Sequence, residues 1–416
     1  MSTVPDSTTV DAPERTGREP LWTSAFAKYF TARTTSRLRD EMMPVALAVA
    51  VLGLGHGAAG VGYVMAAFIA PEALFVIFGG VLADRFTARR MMIGADLARL
   101  LVHAALSVLF VAGDPALWLI LTLAVVSGSA TAMFQPGVSS MVPLVCEDVQ
   151  RGNGALRVAE AVGSLLGPAL GAVLVATLGA GVVFAANAAT FTLSMVFLLL
   201  LKVAPPPVST GGSSLWENLQ EGWYEFRARR WLWAVIVVWA VNGPLVWGPA
   251  RPLTATVIIG DHGSSGFGTV QAALGAGTIV GGLIAMRLRP AHPLAAGSLA
   301  MFGFALHPLA MVFDFPVWAL GCCFAVAGAS WTFWGVQWTT TVQTQVQPEV
   351  LNRVYAYDVA GSIMTNPIGR ALAGPPALLL GARETLFIGV LICGASCVTL
   401  LSMRTIRTLR RRGATP

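Results

Sequence analysis

The chain has 416 residues, of which 55% are hydrophobic and only 12% charged, about half the charged share of an ordinary soluble domain. A mean hydropathy of +0.69 and a succession of apolar runs exclude a water-soluble fold, because each run is long enough to cross a hydrocarbon layer about 30 Å thick. The net charge of +6 lies at the ends of those runs rather than on one soluble face, which points to membrane orientation and away from nucleic-acid binding.

In chain order, residues 1–23 are polar, with Pro5, Asp6, Asp11, Pro13 and Glu14, and no apolar core follows a basic start. They read as a disordered tail rather than a signal peptide. Twelve spans are predicted at about 26–54, 60–83, 90–112, 116–138, 151–178, 181–202, 231–257, 265–286, 292–312, 316–342, 350–380 and 384–404. The connections alternate in character. "ADRFTARR", "CEDVQR", 203–230, "MRLRP", "QPEVLNR" and the tail "RTIRTLRRR" are basic or charged, whereas "GLGHGAA", "AGDPA", "LGAG", "IIGDHGSS" and "FDFP" hold no Lys or Arg. The last outer turn has only Arg383. By the positive-inside rule this places both termini and the charged loops in the cytoplasm. Lysine occurs only at 28 and 202, an arginine bias that suggests a GC-rich bacterium, so the expected location is a bacterial inner membrane.

Segment 203–230 opens with "APPPVSTGGSS" and continues as "LWENLQEGWYEFRARR". Ser214 and Glu217 have capping-box spacing, and Trp216, Leu219, Trp223 and Phe226 recur at helical intervals, so a helix lying along the inner membrane surface is predicted. The expected organisation is a tail (1–23), a six-helix bundle (24–202), a linker with an amphipathic helix (203–230), a second six-helix bundle (231–404) and a basic tail (405–416). The five cysteines include Cys393 and Cys397, one helical turn apart in an apolar run; they read as buried thiols, with no metal-ligand spacing around them.

The halves repeat each other. "GGVLADRF" at 79 matches "GGLIAMRL" at 281, each closing the second span of its half, and "EAVGSLLGPALGA" from 160 aligns with "DVAGSIMTNPIGR" from 358 in the fifth spans. The second alignment sets Glu160 opposite Asp358, Gly163 opposite Gly361, Ser164 opposite Ser362 and Gly171 opposite Gly369. Duplication of a six-helix unit, with the two copies related by an axis along the membrane normal, describes a rocking transporter whose site lies between the bundles.

The twelve spans, the central loop and "GGVLADRFTARR" resemble the major facilitator superfamily, whose loop signature between spans two and three is matched by Gly80, Asp84, Arg85, Arg89 and Arg90. Thr87 stands where the general pattern has glycine. "MFQPGVSSMVPLV" at 133 and "VQPEVLNRVYAY" at 346 resemble the branch holding siderophore exporters, macrolide efflux proteins and lysophospholipid transporters. "GSLLGPALGA", with Gly163, Gly167, Pro168 and Gly171, resembles the fifth-span motif of drug antiporters, Ala172 replacing its final glycine. The resemblance implies an inter-helix charge gate at Asp84 and Arg85, a bistable element of the kind switching requires, and an export direction. Orientation alone accounts for Arg89 and Arg90. Asp96 and Arg99, spaced i to i+3, neutralise one another or join that network. Glycines every fourth residue leave one face of span five without side chains, so close packing is expected, and Pro168 can bend the helix.

Ionisable groups inside a bilayer cost about 2.5–3.5 kcal/mol each on insertion scales and demand a reason. Candidate proton carriers are Asp40 and Glu41 in span one, Glu72 in span two, Glu160 in span five and Asp358 in span eleven. Glu72 has no cation near it in sequence; it either carries the proton or stays protonated in an inter-helix hydrogen bond. Glu160 is coupled to transport or merely paired with Arg157. The span-four arginine common in drug–proton antiporters is absent from "LTLAVVSGSATAMF". Candidate cavity residues are Trp331, Trp334, Gln337 and Trp338 on one face of span ten, Asn242, Trp247 and Arg251 in span seven, Gln271 in span eight and Arg370 in span eleven. Aromatic faces suit large amphipathic or cationic molecules, and packing against lipid explains the same stripe equally well.

The expectation is therefore an all-α polytopic membrane protein that exports a hydrophobic or amphipathic small molecule (a drug, antibiotic, secondary metabolite or siderophore) in exchange for protons. An ion-coupled importer or a lysophospholipid transporter of the same fold is the alternative. No catalytic motif is present in the sequence, no cofactor is expected, and a monomer in the lipid bilayer with a small-molecule substrate is the predicted state.

Overall fold

A computed structural model of the chain describes residues 20–201, 215–313, 315–363, 369 and 374–411. The described elements are helices, and eight helical segments among them are long and apolar enough to cross a membrane. In lipid every backbone polar group needs an internal partner, which is why apolar runs of this length close into helices.

Helix α1 spans Ser24–Gly53, with Thr23 accepting a hydrogen bond from the Phe26 amide at its start. Then follow α2 (Gly57–Phe86), α3 (Ala88–Ala112), α4 (Leu117–Val145) and α5 (Val149–Leu200). After the linker come α6 (Leu215–Ala228), α7 (Arg230–Asn242), a π-helical turn (Gly243–Trp247) and α8 (Gly248–Arg287). The last are α9 (Pro293–Phe304), α10 (Leu306–Ala310), α11 (Val317–Gln345), α12 (Pro348–Ile363), α13 (Gly374–Leu380), α14 (Ala382–Ser402) and α15 (Arg404–Arg407).

At 52 residues α5 is more than twice the length of one crossing, and Gly179, at φ 80° and ψ 162°, breaks its helical geometry. Contacts with α1 show that the chain reverses there. Before Gly179 the two helices run parallel: Arg33 meets Glu160, and Gly171 lies against Met42. Beyond it they run antiparallel, with Ser36 bonded to Ser194 and Asn187 to Met43. A similar left-handed glycine, Gly263 at φ 70°, breaks α8. The expected end of span seven near 257 falls too early, because helical geometry continues to that glycine. The π-helical turn inside the same span was not expected; Pro244 cannot donate to the ladder, and the widened turn accommodates the loss.

The repeat seen in the sequence recurs in packing. Gly163 lies against Leu38 and Gly171 against Met42 of α1, while their counterparts Gly361 and Gly369 lie against Ile236 and Pro244, in the corresponding stretch of the second half. The second and fourth long helices of each half also approach closely: Gly128 of α4 meets the Phe68 carbonyl of α2, and Gly277 and Gly281 of α8 meet Ala325 and Ala329 of α11. Small residues at these crossings let backbones approach where apolar burial supplies no driving force.

Helix α6 is fastened to α12. Glu221 pairs with Arg353 at 2.5 Å, and Trp223, Phe226 and Tyr357 form a ring cluster with centroids 5.5–5.8 Å apart. Of the expected capping pair, Ser214 lies outside the described residues, as do the side chains of Glu217, Trp216 and Leu219.

Candidate functional site

Two regions gather the polar and aromatic side chains that the spans carry. The first is a cavity of about 210 Å³ walled by α1, α2, α3, α4 and the second part of α5. All its lining residues precede residue 192, so it lies within the first half rather than between the halves. Arg37, Arg39, Asp40, Glu72, Arg99 and His103 bring charge or hydrogen-bonding capacity to its wall, and Phe191 closes one side.

Helical spacing arranges these groups. Arg39 holds the neighbouring Asp40 through two hydrogen bonds of 2.8 and 3.2 Å, with its guanidinium carbon 3.5 Å from the Phe191 ring centroid. One turn apart on α3, Asp96 accepts from Arg99 at 2.6 Å and from Ser194 at 2.7 Å. Both Asp96 and Arg99 are fully buried, so a lone partner would leave an uncompensated charge. This pair neutralises itself and joins the span-one cluster: Arg99 and Arg39 share the face of Phe191, and Ser36 bonds to Ser194. His103, one turn further, sets Nδ1 2.9 Å from the Arg99 carbonyl. A carbonyl only accepts, so Nδ1 carries the hydrogen.

Glu160 lies at the centre of a second charge set, with Arg33 at 3.3 Å, Arg157 at 3.1 Å and Arg37 at 3.8 Å. Arg37 also reaches Glu41 at 3.2 Å. Glu160 is thus shared among three arginines instead of belonging to Arg157 alone. Glu72 differs: it lines the cavity and makes no hydrogen bond or ion pair among the described residues. Asp358 accepts from the Trp338 indole at 3.0 Å, and its other oxygen has no partner among the described residues.

The second region is an aromatic cluster of the second half. Trp247 lies against Trp239 and Trp331, at 4.6 and 4.9 Å between centroids, and Trp239 meets Trp334 at 5.2 Å. Trp334 stacks over Trp338 at 6.1 Å. Trp331 is half-exposed while Trp334, Gln337 and Trp338 are buried, so the stripe expected on span ten faces mainly inward. Asn242 donates to Ser396 at 2.7 Å and to the Val238 carbonyl. Gln271 is exposed on α8 and is not part of this cluster. The side chain of Arg251 and all of Arg370 lie outside the described residues.

In the loop motif, Gly80, Asp84 and Arg85 belong to α2, and their side chains lie outside the described residues. Arg89 donates to the Leu198 and Leu199 carbonyls at 2.7 and 2.6 Å. It therefore caps the end of α5 in addition to marking orientation; Arg90 is exposed. Thr87, in the glycine position of the motif, has φ 69° and ψ 140°, a conformation that suits glycine.

The halves meet at the end that carries the basic loops. Gln150, buried at the start of α5, donates to the Ala285 and Leu288 carbonyls at 2.5 and 2.7 Å, and Asp148 pairs with Arg289. Asn153 donates to Thr340 at 3.0 Å and Gln343 at 2.7 Å, and Gly154 admits Met286. Sequence reasoning missed this seam, and it missed Arg33 and His103. The signal for the seam was the spacing of Gln150, Asn153, Gly154 and Arg157, one polar and small face on an otherwise apolar helix.

A sequence profile of the Major Facilitator Superfamily matches residues 29–361. The chain is similar to the enterobactin exporter EntS of Citrobacter koseri, with 28% identity over 407 residues, covering 93% of each chain. It is also similar to macrolide efflux protein A of Streptococcus pyogenes, with 23% identity over 330 residues, 76% of this chain and 79% of that protein. Its fold matches the crystal structure of the human organic anion transporter MFSD10 with a TM-score of 0.70 at 15% identity, and that of a bacterial homologue of the iron transporter ferroportin in an outward-facing state with 0.71 at 13%. Each alignment covers 90% of this chain and 98% of the other.

Proposed function

The chain belongs to the Major Facilitator Superfamily and is a transporter rather than an enzyme; from that premise we propose that it exports an amphipathic small molecule by proton antiport. The architecture we propose is twelve spans in two six-helix bundles, 24–202 and 231–404, joined by the 203–230 linker, with both termini cytoplasmic. The equivalent packing of Gly163 and Gly361, and of Gly171 and Gly369, supports a duplicated bundle. The seam from Asp148 to Gln343 supports a state closed at the cytoplasmic end. Rocking about a central axis would break that seam and open the other face.

The observation that carries the coupling proposal is Glu72. The other cavity carboxylate, Asp40, is held by an arginine, and so are Glu41 and Glu160 behind the wall. Glu72 faces the same space with no such partner among the described residues, so a proton is the available neutralising charge. Asp358, bonded among the described residues only to an indole, is the equivalent in the second half. The relatives' names favour efflux of a siderophore or macrolide, and the tryptophan cluster offers the aromatic surface such molecules use. An importer or lipid-moving reading draws on a different observation, the charged wall of the first-half cavity.

Uptake into inverted membrane vesicles tests this directly. Labelled macrolide or catecholate siderophore should accumulate when the lumen is acidified, and Glu72→Gln should remove the dependence on the gradient while leaving counterflow exchange. Unchanged gradient-driven accumulation in Glu72→Gln and in Asp358→Asn would rule the coupling proposal out.

A further inference from the structure

We infer that the cavity inside the first half is a binding site for the acidic group of an amphipathic organic anion, seated between Arg39 and Arg99; this deepens the exporter reading and rests on it. Both residues line the cavity, and each is only 2% exposed. Each is tied to one acid, Arg39 to Asp40 and Arg99 to Asp96, and each keeps a buried nitrogen with no acceptor among the described residues: Nη1 of Arg39 and Nε of Arg99. A buried donor without an acceptor is destabilising, the more so when it is charged. Two such donors on a single wall call for an oxygen ligand. Asp96 accepts from Nη2 of Arg99 and from Ser194, and neither of its oxygens reaches these two nitrogens.

The remainder of the cavity selects the rest of the molecule. Away from the arginines much of the wall is apolar, with Met43 and Leu47 from α1, Met65 and Phe68 from α2, and Ile120 and Leu123 from α4, while Glu72 and the α4 residues Ser127, Thr131 and Gln135 supply its polar positions. A small inorganic anion would leave that surface wetted, while an acyl or aryl chain would cover it. Charge-assisted bonds from guanidinium groups to a carboxylate are stronger than neutral ones and fix its orientation. Export of an anion also runs with an inside-negative membrane potential.

The acid group could belong to a solute or to a membrane lipid, and one experiment separates the two. Purified full-length protein in phosphatidylcholine nanodiscs is dialysed to equilibrium against radiolabelled decanoate, with empty nanodiscs as reference and no ion gradient, so that a failure of proton coupling leaves the result untouched. The expected result is saturable binding at one site, displaced by unlabelled decanoate but not by decyltrimethylammonium or decanol. Arg39→Gln or Arg99→Gln should weaken it by about tenfold or more. Leu123→Trp, which fills the apolar arm and leaves every charge in place, should abolish it, and this variant guards against misfolding of the arginine variants. Suppression by phosphatidylglycerol in the nanodisc identifies a lipid acid as the occupant, and persistence identifies a solute. No saturable decanoate binding, equal displacement by decyltrimethylammonium, or binding unaffected by Leu123→Trp would overturn the inference.

Discussion

Gln150→Ala isolates the seam that closes the charged end of the molecule. The side-chain amide makes two hydrogen bonds, to the Ala285 and Leu288 carbonyls where α8 ends, and it is buried. Each bond contributes a net of about 0.5–1.5 kcal/mol. Their loss weakens the closed state by about 1–3 kcal/mol, a shift of roughly 5- to 150-fold in the equilibrium between states. The neighbouring Asp148–Arg289 pair is partly exposed on both sides, so it contributes about 1 kcal/mol or less and does not compensate. Spin labels at Glu147→Cys and Arg287→Cys, both exposed, report the separation by pulsed electron paramagnetic resonance, with the five native cysteines replaced by alanine. A longer-distance population should grow in Gln150→Ala and grow further when Asn153→Ala is added. A distribution identical to the parent in both variants would refute the assignment of these bonds to a conformational latch.

Other expectations follow from particular positions. Thr87→Gly should stabilise the protein by about 1 kcal/mol in thermal unfolding, because relief of about 1–3 kcal/mol of backbone strain outweighs the added chain entropy and the small loss in capping; a lower melting temperature would contradict the strain. Gly171→Ala should cost about 1–3 kcal/mol and slow transport, since its methyl group would stand 2.8 Å from the Met42 carbonyl oxygen, whereas Gly163→Ala, with 3.6 Å to Leu38, should be nearly silent. Equal effects of the two would remove backbone approach as the reason for this motif. Trp331→Ala, at the half-exposed edge of the tryptophan cluster, should raise KM for an aromatic substrate in the vesicle assay with little loss of stability; an unchanged KM would place the substrate elsewhere.

Much of the helical layout was legible because a bilayer imposes one rule on every crossing: a run of about 20 apolar residues. The two breaks that divide long helices fall at Gly179 and Gly263, within the predicted outer connections. The glycine spacing in span five also carried its own meaning, for Gly163, Gly167 and Gly171 pack on α1 as a bare helix face should. Pairing was less legible. Glu160 lies beside Arg157 in sequence, yet it is shared with Arg33 and Arg37 from another helix, and linear spacing cannot report that crossing. Gln150 and Asn153 were passed over because a neutral amide near a helix start reads as an interfacial residue; only their partners, more than 130 positions away, give them a role. The charged cavity within the first half was not legible either, because it depends on span one facing inward on its own bundle with Arg39 against Phe191.

The central claim, alternating access by two rocking halves, is tested most directly by following both ends of the molecule in one reconstituted sample. One label pair, Glu147→Cys with Arg287→Cys, reports the charged end; a second, Asp114→Cys with Phe315→Cys, reports the opposite end. Under an imposed pH gradient, and again in Gln150→Ala, the first distance should lengthen as the second shortens. Two ends that open together, or move without correlation, would contradict the account.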